Sequence, residues 1–119
     1  VSWDQALDLV AAELDRVRQL AGQQTRAVWM GLLTGQARLQ ALQEASKASQ
    51  ARLDATRLGR QVGDRTTLEL LQAENDDAAA QLNLVQARLD LVMAKLRLQA
   101  LAGQLDEAQL ASVNTLFQP

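Results

Sequence analysis

The sequence has no cysteine and no histidine. Thiol nucleophiles, disulfides and the usual zinc ligand sets are therefore excluded. The one proline is Pro119, so nothing in the interior forces a helix to break. Aromatics make up 3% of the chain, as Trp3, Trp29 and Phe117, too few to fill a globular core or to stack nucleobases. With 12 Lys+Arg against 14 Asp+Glu, the net charge of −2 gives no field for nucleic acid or an anionic membrane surface. No apolar run approaches the ~18 residues of a membrane-spanning helix. The acidic cluster Glu74, Asn75, Asp76 and Asp77 lies on consecutive positions. On a helix these point in different directions, so neither a general acid/base pair nor a metal cage is expected. No cofactor motif is present. These absences argue against an enzyme.

What is present is helix-forming. Leu (23), Ala (21) and Gln (16) supply half of the 119 residues, with 8 Val and no Ile. This composition predicts an all-α chain. The length suits one small domain or a piece of a larger one. Val1 is not an initiator Met and no signal-like segment follows, which predicts a processed or excised piece.

Glycines and hydroxyls punctuate the chain. Ser2 and Gln5 fit a capping box at a helix start. Helical spacing then continues to Gln61, so residues 1–61 form the first long helix, with Gly22 to Thr25 as a candidate break. Gly63 suits the left-handed residue that ends a helix. Thr66 and Glu69 make a second capping box, so residues 62–66 form the turn and 67–102 the second long helix. Gly103 repeats the stop signal. Asp106 with Gln109 then caps a short last helix within 103–119. The expected fold is a long antiparallel coiled-coil hairpin. Gly31 and Gly35, one turn apart, read as a slight kink or a close helix contact.

The second helix carries two apolar seams. Leu68, Asn75, Leu82, Leu89 and Leu96 recur every seven residues, with Leu71, Ala78, Val85 and Val92 three places on. Asn75 is a candidate for fixing register there. The other seam joins Leu70, Leu84, Leu91 and Leu98 to Ala73, Ala80, Ala87, Ala94 and Leu101. An offset of two residues turns the seams about 200° apart. The first helix likewise has an Ala stripe (Ala37, Ala41, Ala48, Ala51, Ala55, Leu58) and a Leu stripe (Leu32, Leu39, Leu42, Leu53) broken by Ser46 and Ser49. A hairpin buries one face per helix, and the second demands a further partner. The pattern fits a self-associating bundle and a curved wall of helices equally.

The segment Val62-Gly63-Asp64-Arg65-Thr66-Thr67-Leu68-Glu69-Leu70-Leu71-Gln72-Ala73 resembles the V-G-T-R-T-x-x-D-V-L-x-A signature of TolC-like outer-membrane efflux channels. The likeness extends through Ala87-Arg88-Leu89-Asp90, Leu96-Arg97-Leu98, Ala102-Gly103-Gln104-Leu105 and Leu110-Ala111-Ser112-Val113-Asn114. Upstream it includes Thr25-Arg26-Ala27-Val28-Trp29 and Leu53-Asp54-Ala55-Thr56, and it covers roughly residues 25 to 117. The resemblance implies a homotrimeric conduit for multidrug or type I secretion export. In such conduits an outer-membrane β-barrel continues into a periplasmic α-barrel. This chain resembles the second periplasmic hairpin and the start of the equatorial region.

The same resemblance implies that Val62, Gly63, Asp64, Arg65, Thr66 and Thr67 form a tip docking a periplasmic adaptor, beneath which an inner-membrane pump supplies the energy. It further implies that Arg65, Glu69 and Gln72 line the aperture. The sequence departs from the family at Gln72, which lacks the usual acid, and at Arg60, where an aromatic is common. Glu69 reads equally as the capping partner of Thr66. The two tryptophans read as packing residues near the far end of the helix. The alternative is a coiled-coil binding module, such as a periplasmic adaptor hairpin, whose R-x3-L-x6-S pattern Arg38, Leu42 and Ser49 match, or another coiled-coil scaffold. That pattern needs a turn between Leu and Ser, and none is signalled, so the match reads as chance. With two faces per helix, the isolated chain is expected to self-associate.

Overall fold

The computed structural model describes residues 2–116. Two helices account for almost all of them: α1, Trp3–Gln61, and α2, Thr67–Leu116. They form a hairpin, and no strand occurs among the described residues. The all-α hairpin expected from composition and punctuation is the fold. Packing divides the chain into two units, one from the segments up to Gly31 and from Leu96 onward, the other from Leu32–Lys95.

In the Leu32–Lys95 unit the interface follows a strict alternation of three and four. Residues 32, 35, 39, 42, 46, 49, 53 and 56 of α1 are buried or half-buried, as are 70, 73, 77, 80, 84, 87, 91 and 94 of α2. Leu32, Leu53, Ala73, Leu84, Ala87 and Leu91 are the buried apolar residues. The seventh-residue series Ala73, Ala80, Ala87 and Ala94 keeps one line of α2 small, so the arms approach closely while Leu fills the space beside it. Each fully buried Leu contributes roughly 1.5–3 kcal/mol. A Cβ on Gly35 would lie 3.4 Å from Leu91 Cδ1, so the close-contact reading holds for Gly35, whereas one on Gly31 would meet nothing within 4 Å.

The seam through Leu84 and Leu91 therefore faces inward, and the one through Leu68, Leu82 and Leu89 faces out. Leu68 is 65% exposed and Leu89 60%. The Ala stripe of α1 is exposed as well. Asn75 lies on the outward seam and is exposed, so it sets no register within this hairpin. Asp77 occupies the inward heptad position instead, and its Oδ1 is buried without a hydrogen-bond partner. On α1 the inward polar positions are Ser46, which is 7% exposed, and Ser49.

Two ion pairs mark the register. Arg38 Nη1 donates to Asp90 Oδ2 at 3.0 Å, and Arg52 Nη2 donates to Asp76 Oδ2. The two pairs are separated by the same fourteen residues on each arm, Arg38 to Arg52 and Asp76 to Asp90. Both are solvent-exposed, so each is worth about 0–1 kcal/mol. They specify alignment more than they stabilise it.

The other unit is more open. Ala21, Gly22, Val28, Leu98 and Leu101 are half-buried, while residues 7–20 are exposed throughout. The tryptophans do not pack within this hairpin: Trp3 is 84% exposed and Trp29 52%. Two expected interruptions are absent. α1 continues through Gly22, where the Thr25 hydroxyl donates to the Ala21 carbonyl at 2.9 Å and so sits within the helix rather than capping a new one. α2 continues through Gly103 to Leu116, so Asp106 starts no separate helix. A helix-interior glycine costs only about 1 kcal/mol relative to alanine. Ala, Leu and Gln on either side outweigh it.

Candidate functional site

The tip is built from backbone hydrogen bonds that the local sequence dictates. Gly63 has φ +84°, the one left-handed residue among those described. Its N–H donates to the Arg60 carbonyl at 3.3 Å, and the Asp64 N–H donates to the Gly59 carbonyl at 2.8 Å. This is the Schellman closure, which satisfies carbonyls that the end of α1 would leave orphaned. The Arg65 N–H adds a second bond to Gly59 O at 3.1 Å.

The start of α2 is capped reciprocally. Glu69 N–H donates to Thr66 Oγ1 at 3.1 Å, and Thr66 N–H donates to Glu69 Oε2 at 3.2 Å. The same box starts α1: Gln5 N–H donates to Ser2 Oγ at 3.3 Å and Ser2 N–H to Gln5 Oε1 at 3.4 Å. Gly63 thus closes one helix three residues before Thr66 opens the next.

Val62, Gly63, Asp64, Arg65, Thr66 and Thr67 are all exposed, with Val62 at 65%. The Arg65 side chain is 58% exposed, yet its guanidinium leans toward Glu69. Its Nη1 lies 3.9 Å from Glu69 Oε2, an ion pair too long for a hydrogen bond. Arg65, Glu69 and Gln72 line one shallow groove with Arg52, Thr56, Ala73 and Asp76. Gln72 brings no charge to it.

Three features of the tip were not legible in the motif. Arg60 reaches across the turn, its Nε donating to Thr67 Oγ1 at 3.0 Å, so it braces the tip where an aromatic is common in the resembled family. Arg57 contacts both Asp54 at 4.0 Å and Glu74 at 3.9 Å. Gly59, besides accepting two N–H groups, lies directly beneath the side chain of Arg65. The sequence marks it only as one more glycine inside a helical stretch.

No group of three or more metal-ligating acidic side chains occurs among the described residues. None of the described helices is long and apolar enough to cross a membrane. Arg38, Leu42 and Ser49 lie within the uninterrupted α1, without the turn that an adaptor hairpin requires between the last two.

A helical hairpin with this tip, carrying one apolar face inside and another outside, is the structural setting of the family match. The family model for outer membrane efflux proteins matches residues 4–104, and the chain belongs to that family. It is 35% identical over 107 residues to outer membrane efflux protein BepC of Brucella suis biovar 1 (strain 1330). The match covers 90% of this chain and 24% of that relative, so the chain spans about a quarter of its length. No solved structure matches significantly.

Proposed function

We propose that this hairpin is a section of the periplasmic tunnel wall of a trimeric outer-membrane export duct. Its tip, Val62 to Thr67, docks a periplasmic adaptor. Transport is passive, driven by a separate inner-membrane pump, and no residue of the segment performs chemistry. Family membership supports the efflux role.

The observation that carries the tunnel wall is the second apolar face. Leu68, Leu71, Leu82, Val85, Leu89, Val92 and Leu96 are each between 47% and 65% exposed on α2, opposite the seam that the hairpin buries. A helix apolar on both sides has neighbours on both sides. In a closed ring of hairpins every such face is covered, and the interior remains a polar conduit. Opening then follows from differential contacts between two arrangements of the ring, because a partner shifts an equilibrium only by its unequal affinity for the two states.

The test replaces Leu82 and Leu89 with Glu in the full-length protein. Loss of trimer on native gels and loss of export are expected, while the inward seam and the helicity remain. Export at the wild-type level with both glutamates in place would overturn the tunnel-wall reading.

A further inference from the structure

Gly59 lies inside α1, four residues before the turn glycine, at a place where alanine is ordinarily the more helix-favouring residue. Three observations meet there. Its carbonyl accepts the N–H groups of both Asp64 and Arg65, at 2.8 and 3.1 Å. A Cβ built on it would fall 2.5 Å from Arg65 Cγ, 3.5 Å from Arg65 Cβ and 3.8 Å from Arg65 Cδ. Finally, the guanidinium beyond those atoms is turned toward Glu69, with Nη1 3.9 Å from Oε2.

The root of the Arg65 side chain therefore fills the space that a side chain at position 59 would occupy. The colliding atom is Cγ, near the backbone, rather than the mobile end of the chain. A small adjustment of the guanidinium cannot relieve the clash; the side chain must leave by rotation about its first bonds. Gly63 has a different part. Its need is the positive φ, and a Cβ there would meet nothing within 4 Å.

We propose that Gly59 is a positioning residue of the tip: its missing side chain seats Arg65 across the end of α1 and fixes the direction in which the guanidinium meets the adaptor. The seat itself is a property of this hairpin. Its consequence for binding rests on the docking role proposed above. Arginine presents up to five donors in a planar fork, so the direction of approach decides how many are usable at once.

The experiment compares the full-length channel with its Gly59→Ala, Arg65→Ala and doubly substituted forms. Electron cryomicroscopy reads the Arg65 side chain, and binding to the purified adaptor reads affinity. In Gly59→Ala, Arg65 is expected to swing off α1 while the backbone of residues 62–66 keeps its course. Arg65→Ala is expected to weaken adaptor binding about tenfold, the scale of one charge-assisted hydrogen bond. Gly59→Ala should weaken it comparably, and the double variant no further, since both act through one group.

Three results overturn the proposal: Arg65 still seated in Gly59→Ala, a melted turn in that variant, or additive losses in the double variant. Should Arg65→Ala bind as wild type, the docking role fails by itself and the position of Arg65 in Gly59→Ala alone decides the seat.

Discussion

Leu82 and Leu84 stand two residues apart on α2 and occupy opposite environments, Leu82 58% exposed and Leu84 7%. The difference arises from the other arm alone. α1 covers the seam through Leu84 and Leu91 and leaves the seam through Leu82 and Leu89 without a partner.

That uncovered face predicts self-association of the 119-residue chain by itself. Each Leu buried is worth roughly 1.5–3 kcal/mol, more than a two-helix hairpin readily forgoes several times over. Sedimentation equilibrium at micromolar concentration is expected to show dimers or larger species. A strictly monomeric chain would contradict the expectation.

Gly63→Val is expected to disturb the turn. The residue has φ +84°, which costs a residue with a Cβ about 1–2 kcal/mol, and β-branching makes the fit worse. Gly63→Asn should be milder, because asparagine tolerates the left-handed region. Thermal unfolding followed by circular dichroism ranks the wild type and the two variants; equal midpoints for the wild type and Gly63→Val would be the contrary result.

Arg65→Glu in the full-length channel is expected to impair export and adaptor binding with helicity unchanged. The substitution sets a second carboxylate beside Glu69, whose Oε2 now lies 3.9 Å from Arg65 Nη1. Unaltered export and adaptor affinity would return Arg65 to an ordinary surface charge.

Asp77→Leu is expected to stabilise the hairpin by on the order of 1–2 kcal/mol, the scale of relieving a buried polar atom without a partner. It also completes the inward series Leu70, Leu84, Leu91. A lower unfolding midpoint for Asp77→Leu would show that the carboxylate has a stabilising role. The gain has a cost in specificity, since a polar residue in a seam marks one register among several.

Glu13 is held below the ordinary carboxylate range by its bond from Arg16, whose own pKa is raised in turn. A carboxyl whose pKa is depressed by folding contributes stability above its unfolded pKa and loses it as pH falls through the folded value. The pair should therefore break only below the normal range for Glu. Nuclear magnetic resonance titration of Glu13 is expected to shift upward toward the ordinary value in Arg16→Ala; an unchanged titration would mean the pair does not persist in solution.

The hairpin, its turn and both capping boxes are legible in the sequence because their hydrogen bonds join residues close along the chain. Thr66 and Glu69 need only each other, and Gly63 needs only its own φ. Which face of α2 turns inward is not legible, because two seams of similar apolar content compete and only the opposing arm decides. For that reason Asn75, which the heptad suggests for fixing register, faces outward, and the polar residue at the inward heptad position is Asp77. Gly22 and Gly103 resemble stops, yet the cost of one glycine is small against long runs of helix formers. Gly59 escapes a reading of the motif because its signal is a side chain that is not there, recognisable only once Arg65 lies over it.

The strict three-four alternation of the inward seam also limits how such a hairpin can change length. Adding one residue to α1 would rotate everything beyond it by about 100°, turning Leu53 out and bringing Arg52 and Ala55 into the inward positions. The fourteen-residue match between the Arg38–Asp90 and Arg52–Asp76 pairs shows both arms counting in step. Only simultaneous insertions or deletions of seven residues in each arm preserve the seam and the pairing. Relatives built on this seam should thus differ in reach by discrete increments of about 10 Å, two helical turns at a time.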